Sequence, residues 1–380
     1  MPLNTVALHL MTVVYQCIVV PIVMELFLSL RQWDYEGKTY HVIEISSDAF
    51  KNNRNITEVT ISGSVKLISD RSFMQCSKLK KVNLNEGLEK IMDQAFNLCS
   101  ALEQLMIPAS VKLIESTVFM ECERLAEITV SRGSDFFFAE NGVLFTADRK
   151  KLHTYPGGKS NPKYVIPTEV ENIGDYAFYA NSGIMSPLLP AGLKSLGKRC
   201  FANCVKLTGT SIPHGVKEVP SGAFMGCTSL SVIGLSKNLI KIGSKVFEAT
   251  VLEKVDFQPT ALSMIETDAF KNCEKLMTVC LPYTLNTLEN GAFSGCSALD
   301  SMACAVTTPL SIKAGVFTAI MRNAKLYVPH VSVNIYKAAP IWKNFSGIGP
   351  WVKKEMGNVN NDEAINVSDV SSLINHILCS

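Results

Sequence analysis

The sequence predicts a solenoid, β-rich, of stacked 23-residue repeats with parallel strands and short turns between them. Three columns carry this reading. Phe50, Phe73, Phe96 and Phe119 stand 23 residues apart, and Phe178, Phe201, Phe224, Phe247, Phe270 and Phe293 resume the step after a 59-residue gap. An aliphatic residue lies five places before each Phe, from Ile45 and Ile68 to Ile265 and Leu288. A small polar or thiol residue lies three places after it: Asn53, Cys76, Cys99, Cys122, Asn181, Cys204, Cys227, Thr250, Cys273 and Cys296. A period of roughly 20 to 29 residues marks units that bury their apolar faces only by stacking on neighbours.

Residues 1–33 form an apolar leading segment. No Lys or Arg precedes Arg31, and from Val6 to Leu30 the run is broken mainly by His9, Gln16 and Glu25, with Pro21 inside it. An export signal, a membrane anchor and a start placed upstream of the natural one are all open readings. A secretory signal would carry a basic leading region, which is missing, and the segment would make only a poor anchor; an export-related segment is the favoured reading.

Residues 34–349 form the solenoid. After each small-residue position comes an alternating run, as in Leu79, Val82 and Leu84 or Leu276, Val279 and Leu281, whose last two members have the two-residue period of a strand with one buried face. Pro108, Pro167, Pro213 and Pro282 close several of these strands, where a missing amide donor does least harm. A second extended segment then ends in the aliphatic pair, and a tight turn carries the Phe. One slipped residue would turn the apolar set outward, so the spacing has to be kept.

The gap is filled by residues 131–163. Two β-prone runs, Asn141 to Phe145 and Leu152 to Tyr155, flank the polar stretch Ala147 to Lys150 and predict a projecting hairpin. It reads either as a flap over an irregular coil or as a binding lobe.

Seven of the twelve cysteines occupy the column after the Phe, which argues against a disulfide framework. Stacked like residues face the next layer, where a buried thiol can donate to a backbone carbonyl of the adjoining turn. Asn53, Asn181 and Thr250 fit the same role. Cys200 takes the small slot before Phe201, whereas Cys280, between Val279 and Leu281, is expected to point out of its strand as an accessible thiol.

With Phe73-Met74-Gln75-Cys76, Phe201-Ala202-Asn203-Cys204 and Phe270-Lys271-Asn272-Cys273 following an aliphatic pair, the chain resembles the BspA-like bacterial leucine-rich repeat proteins from about residue 40 to 345. The stretch from Leu326 to Pro329, with Tyr336, Trp342 and Phe345, resembles the way such arrays finish. The resemblance implies a right-handed leucine-rich repeat solenoid and a secreted or surface protein of adhesion and protein binding.

Residues 350–380 carry a second resemblance. The stretch from Asn358 to Asp369 is similar to the calcium loop of a type I dockerin repeat, followed by an apolar helical stripe of Val370, Leu373, Ile374, Ile377 and Leu378. That resemblance implies calcium ligands at Asn358, Asn360, Asp362, the Ala364 carbonyl, Asn366 and Asp369. Asn replaces Asp at the first of these, and Glu363 replaces the turn glycine. A helical tail without metal is the other reading.

Formal net charge is +2, with Lys and Arg spread through the repeats, so nothing supports a nucleic-acid partner. His9, His41, His153, His214, His330 and His376 lie far apart, and no catalytic motif appears. No catalytic residue or organic cofactor is assigned. Function is expected on the outward strand positions Asn83, Met106, Thr129, Ser211, Gly234, Asp256, Cys280 and Ala303, a shallow face suited to a protein ligand such as a host or cell-surface protein. The alternative is a component of an extracellular polysaccharide-degrading assembly, tethered through the tail to a cohesin-like partner.

Overall fold

The computed structural model describes residues 33–35, 38–318 and 321–350. The apolar segment up to residue 32 and the tail from residue 351, with its six expected calcium ligands, lie outside the described residues. Contacts divide the chain into two compact units: one runs to Asp148 and includes Tyr155–Lys159, and the other comprises Arg149–Thr154 with the chain from Ser160 onward.

The first unit is a parallel solenoid. Its main sheet joins Glu58–Ile61, Lys81–Leu84, Gln104–Ile107 and Glu127–Val130 in chain order. Partners such as Val59 with Val82 and Leu105 with Ile128 stand one repeat apart. These four are buried, and so are Ile45, Ile68, Ile91 and Ile114, which end the two-residue strands of a second parallel sheet. Between the sheets the rings of Phe50, Phe73, Phe96 and Phe119 stack nearly parallel, with centroids 5.0, 5.3 and 6.3 Å apart. Before the first coil, Trp33–Tyr35 pairs antiparallel with Lys38–Tyr40.

The inserted segment corrects the expected hairpin in one respect. It opens with Phe137–Glu140 paired antiparallel with Val143–Thr146 around a turn at Asn141-Gly142, and strands Val143–Thr146 and Lys151–Thr154 form on either side of the polar stretch Ala147 to Lys150. Both turn residues have positive φ, 50° and 76°, the requirement of the two-residue turn that Asn-Gly favours. The hairpin does not project. Phe137, Val143, Leu144 and Phe145 are buried, and the Ile128 amide donates to the Gly142 carbonyl at 3.0 Å. Four apolar side chains drive this strand pair onto the last coil, where it covers an edge that would otherwise expose unpaired backbone groups.

The second unit repeats the plan with one irregularity. Glu218–Val219, Lys241–Ile242, Met264–Ile265 and Thr287–Leu288 form one parallel sheet. On the other side Gly209–Ser211 pairs with Val232–Gly234, and a separate five-stranded sheet begins at Lys254–Asp256 and continues through Thr278–Leu281, Ser301–Cys304, Lys325–Val328 and Gly347–Pro350. The sequence accounts for the break between them. Cys227 and Leu230 are separated by two residues, Thr250 and Leu252 by one, and the stretch from Phe257 to Leu262 restores the missing residue before the next aliphatic position.

The Phe column continues across this slip, with Phe247 and Phe270 stacked at 5.1 Å. It also runs one ring further than the 23-residue step indicates. Phe317, 24 residues after Phe293, stacks on it at 5.9 Å. Trp342 and Phe345 then meet Phe317 edge-on and end the stack, with Tyr336 packed against Trp342.

The turn side is built by hydrogen bonds between coils. The Phe224 amide donates to the Val246 carbonyl and the Gly226 amide to the Glu248 carbonyl, and the same pair of bonds recurs from coil to coil. Directing these amides along the stack places the residues two before and two after the Phe in the left-handed region, as at Arg199 and Asn203 or Asp268 and Asn272. Left-handed geometry costs an ordinary residue about 1 kcal/mol or more, which the ladder offsets.

All ten described cysteines are free and buried. Each of the seven column thiols donates to the Phe carbonyl of the preceding coil: Cys76 to Phe50, Cys99 to Phe73 and Cys122 to Phe96 in the first unit, and Cys204 to Phe178, Cys227 to Phe201, Cys273 to Phe247 and Cys296 to Phe270 in the second. Burial pushes the Cys76, Cys122 and Cys227 thiols up to about 12, so they stay protonated donors. The polar residues of this column also brace their own turns. Asn53 and Asn181 use their side-chain oxygens to accept amides of the following turn, and Thr250 donates within its own turn to Phe247.

Candidate binding face

Alternation along each strand of the main sheets turns every second side chain outward. In the first unit this yields two outward rows: Glu58, Lys81, Gln104 and Glu127, and Thr60, Asn83, Met106 and Thr129. The polar members bind one another. Asn83 donates to both Glu58 and Thr60, at 2.9 and 3.1 Å, and Lys81 pairs with Glu58 at 2.7 Å. Lys81 and Asn83 hold the Glu58 carboxyl below the usual carboxylate range. Met106, the register partner of Thr129, stands 60% exposed among these polar groups.

The second unit presents a different face. Val165 and Leu188 are bridge partners on adjacent coils, 61% and 59% exposed. Ser211 and Gly234 follow in the same outward row, while Val232, paired with Gly209, is 66% exposed in the row beside it. Beyond the break in the sheet, the outward row runs Asp256, Cys280, Ala303 and Tyr327 in direct register.

Of the expected face residues, Met106 and Ser211 are exposed and Asn83, Thr129, Gly234 and Asp256 are half-buried. Cys280 contradicts its expected accessibility. It is only 4% exposed, because its short side chain sits on an inner strand between the register neighbours Asp256 and Ala303. Burial, and to a smaller degree the Asp256 carboxylate, raise its pKa, so it is not a reactive surface thiol. Ala303 is buried for the same reason. Residue-type reasoning passed over Val165 and Leu188, although the repeat step places both in the outward row with Ser211.

Asp256 has an unusual setting. Its Oδ1 accepts the Gln258 amide at 2.9 Å, closing a short turn where the sequence slip is absorbed. Burial pushes its carboxyl up to about 6, and among the described residues no cation is paired with it. Among the described residues no group of three or more His, Cys, Asp or Glu is placed to hold a metal. No described helix is long and apolar enough to cross a membrane.

Comparison with known proteins fits this geometry. The pattern described as BspA type Leucine rich repeat region matches six copies, across residues 43–140, 157–264 and 257–339. Two solved structures share the fold. The pneumococcal vaccine antigen PcpA is 23% identical, with a TM-score of 0.56 over 85% of this chain and 88% of its own. A leucine-rich repeat protein from Eubacterium ventriosum is 24% identical, with a TM-score of 0.50 over 73% of this chain and 80% of its own. No curated protein sequence matches the chain.

Proposed function

The chain belongs to the BspA-type leucine-rich repeat family, and from that premise we propose that it is an extracellular or cell-surface protein that holds a protein ligand on the outward faces of its main sheets. One observation carries the reading: Met106, Val165, Leu188 and Val232 stand about 60% exposed on those faces, where apolar area withdrawn from water would favour association. The faces are shallow and built from mixed side chains, which suits a broad partner better than a small molecule. The family likeness supports a location outside the cell, and so does a shared fold with a pneumococcal vaccine antigen. Among the described residues the repeated side chains are taken up by stacking, which supports a binding role over a catalytic one.

The test has two parts. Antibody labelling of intact source cells should detect the protein, with the signal removed by brief external protease treatment. An array of extracellular proteins probed with the full chain should give binding that Met106→Glu or Leu188→Glu weakens at least tenfold. Glu274→Lys, on the exposed turn side, should leave it unchanged. Equal binding by all variants would remove the sheet faces from consideration.

A second reading rests on the residues from Asn358 to Asp369, whose oxygen-bearing side chains follow the spacing of a calcium loop. Here the tail binds calcium and tethers the chain to a cohesin-like partner. Calorimetric titration of the full chain and of Asp362→Ala with calcium is the test. Absence of heat at millimolar metal sinks this reading.

A further inference from the structure

Asp256 is the one place on the described sheet faces where a carboxylate bears the cost of burial without a cation to offset it. Elsewhere on the faces the equivalent positions hold neutral side chains, and Glu58, in the neighbouring row of the first unit, is paired with Lys81. The surroundings of Asp256 are equally specific. It stands on the edge strand of the five-stranded sheet, where the slip interrupts pairing with Val232–Gly234. Cys280 and Ala303 follow it in register and are buried and short, so they leave a flat floor beside the carboxylate. In the preceding coils the outward row carries Ser211 and Gly234, neither of them charged. Lys254, on the same strand, is exposed and does not pair with it.

The Gln258 amide binds Oδ1, and among the described residues no hydrogen bond reaches Oδ2. A lone carboxylate with two oxygens is a poor metal site, but it matches the donors of an ammonium or guanidinium group well. The exposed Val232 and the Leu188–Val165 pair lie on the coils before it, so apolar groups adjoining a cation would also find cover.

We infer that Asp256 anchors a Lys or Arg side chain of the protein ligand, with apolar residues of the same ligand resting on Val232 and Leu188. This rests on the sheet-face reading above and names the chemistry of the partner. Transfer of the cation to Asp256 supplies the missing counter-charge in a partly dehydrated setting, where a charge-assisted pair is stronger than at an open surface.

The probe is a random twelve-residue peptide library displayed on phage and selected on the full chain. Retained peptides should be enriched in Lys or Arg next to apolar residues. Asp256→Asn keeps the oxygen that accepts the Gln258 amide and removes only the charge. It should lower retention at least tenfold, and replacing the selected peptide's Arg by citrulline should lower it by a similar factor on wild type and not further on the variant. A circular dichroism melt of the variant confirms that it is folded. Peptides that bind Asp256→Asn as well as wild type, but lose binding on Val232→Asp, overturn the anchor and leave the sheet face as a binding surface. Peptides indifferent to both substitutions overturn the two together.

Discussion

The two sides of each coil obey different rules. On the turn side the Phe-bearing coils within each unit stack ring on ring, donate amides along the stack and, in seven coils, send a thiol to the preceding Phe carbonyl. On the sheet side the inward residues repeat but the outward ones change from coil to coil: Met106 beside Thr129, Leu188 beside Val165, Asp256 beside Cys280. Repetition is needed where a residue's partner is its own copy one layer away, and it is released where the partner lies outside the chain. This explains why the seven column cysteines serve the scaffold, and why one unrepeated carboxylate is informative.

The sharpest break between the two sides should appear in thiol chemistry. The column thiols Cys76, Cys122 and Cys227 have pKa values raised to about 12 by burial. At pH 8 in native buffer their alkylation by iodoacetamide should therefore run roughly a thousandfold slower than for free cysteine, and 8 M urea should abolish the protection. Peptide mapping reads both states. Rapid native labelling at Cys227 would mean that the ladder is open to solvent.

Removing a ring tests the column directly. Phe224 is fully buried between Phe201 at 5.5 Å and Phe247 at 5.7 Å. Phe224→Ala should cost roughly 3 to 5 kcal/mol in urea unfolding, the sum of lost transfer energy and the cavity left behind. Met106→Ala on the sheet face should stay within about 0.5 kcal/mol, since it removes no packed contact.

Gly226 gives a smaller effect with a different cause. Its φ is +71°, and a Cβ there would press on the Asn203 Oδ1 of the preceding coil. Gly226→Ala should cost about 1 to 2 kcal/mol from left-handed strain and crowding combined. Asn203→Gly in the same chain should return part of that loss by removing the obstructing side chain, which a double-mutant cycle in thermal unfolding resolves.

Much of this architecture was legible in the sequence because a solenoid writes its contacts as a period. The Phe column, the aliphatic pairs and the thiol ladder all follow from residues recurring at one step. Phe317 escaped because an added residue before it changes the step to 24. The additional strand Phe137–Glu140 was missed although Asn141-Gly142 is a strong two-residue turn signal. The burial of the hairpin depended on a sheet edge that residue patterns do not reveal. Cys280 was misplaced for a related reason: alternation tells which way a side chain points, but exposure also depends on the size of its neighbours. The setting of Asp256 combines both effects, a local slip in step and the small side chains around it, and only coordinates bring those together.

Asp256 also supplies the gentlest and most discriminating test of the contrast between the two sides. In the folded chain burial lets its carboxyl keep a proton up to about pH 6, whereas the unfolded chain loses that proton near pH 4, at roughly the ordinary Asp value. Below both values the residue is neutral in either state and does not affect stability. As pH rises through this window, folding increasingly forces a charge into a partly dry site, and the penalty is complete above about pH 6. Lys254 on its own strand and the Cys280 thiol on the next are the titratable groups beside it, and neither relieves the penalty. Asp256→Asn should therefore stabilise the protein at pH 7.5. The full difference in proton affinity sets a ceiling near 3 kcal/mol, and solvent on the open side reduces the expected gain to about 1 kcal/mol. At pH 3.5 the gain should vanish, which paired thermal melts at the two pH values would show. Loss of stability at pH 7.5 would mean that the folded protein already supplies a partner for this carboxylate, and a basic ligand would then have no unmet charge to answer.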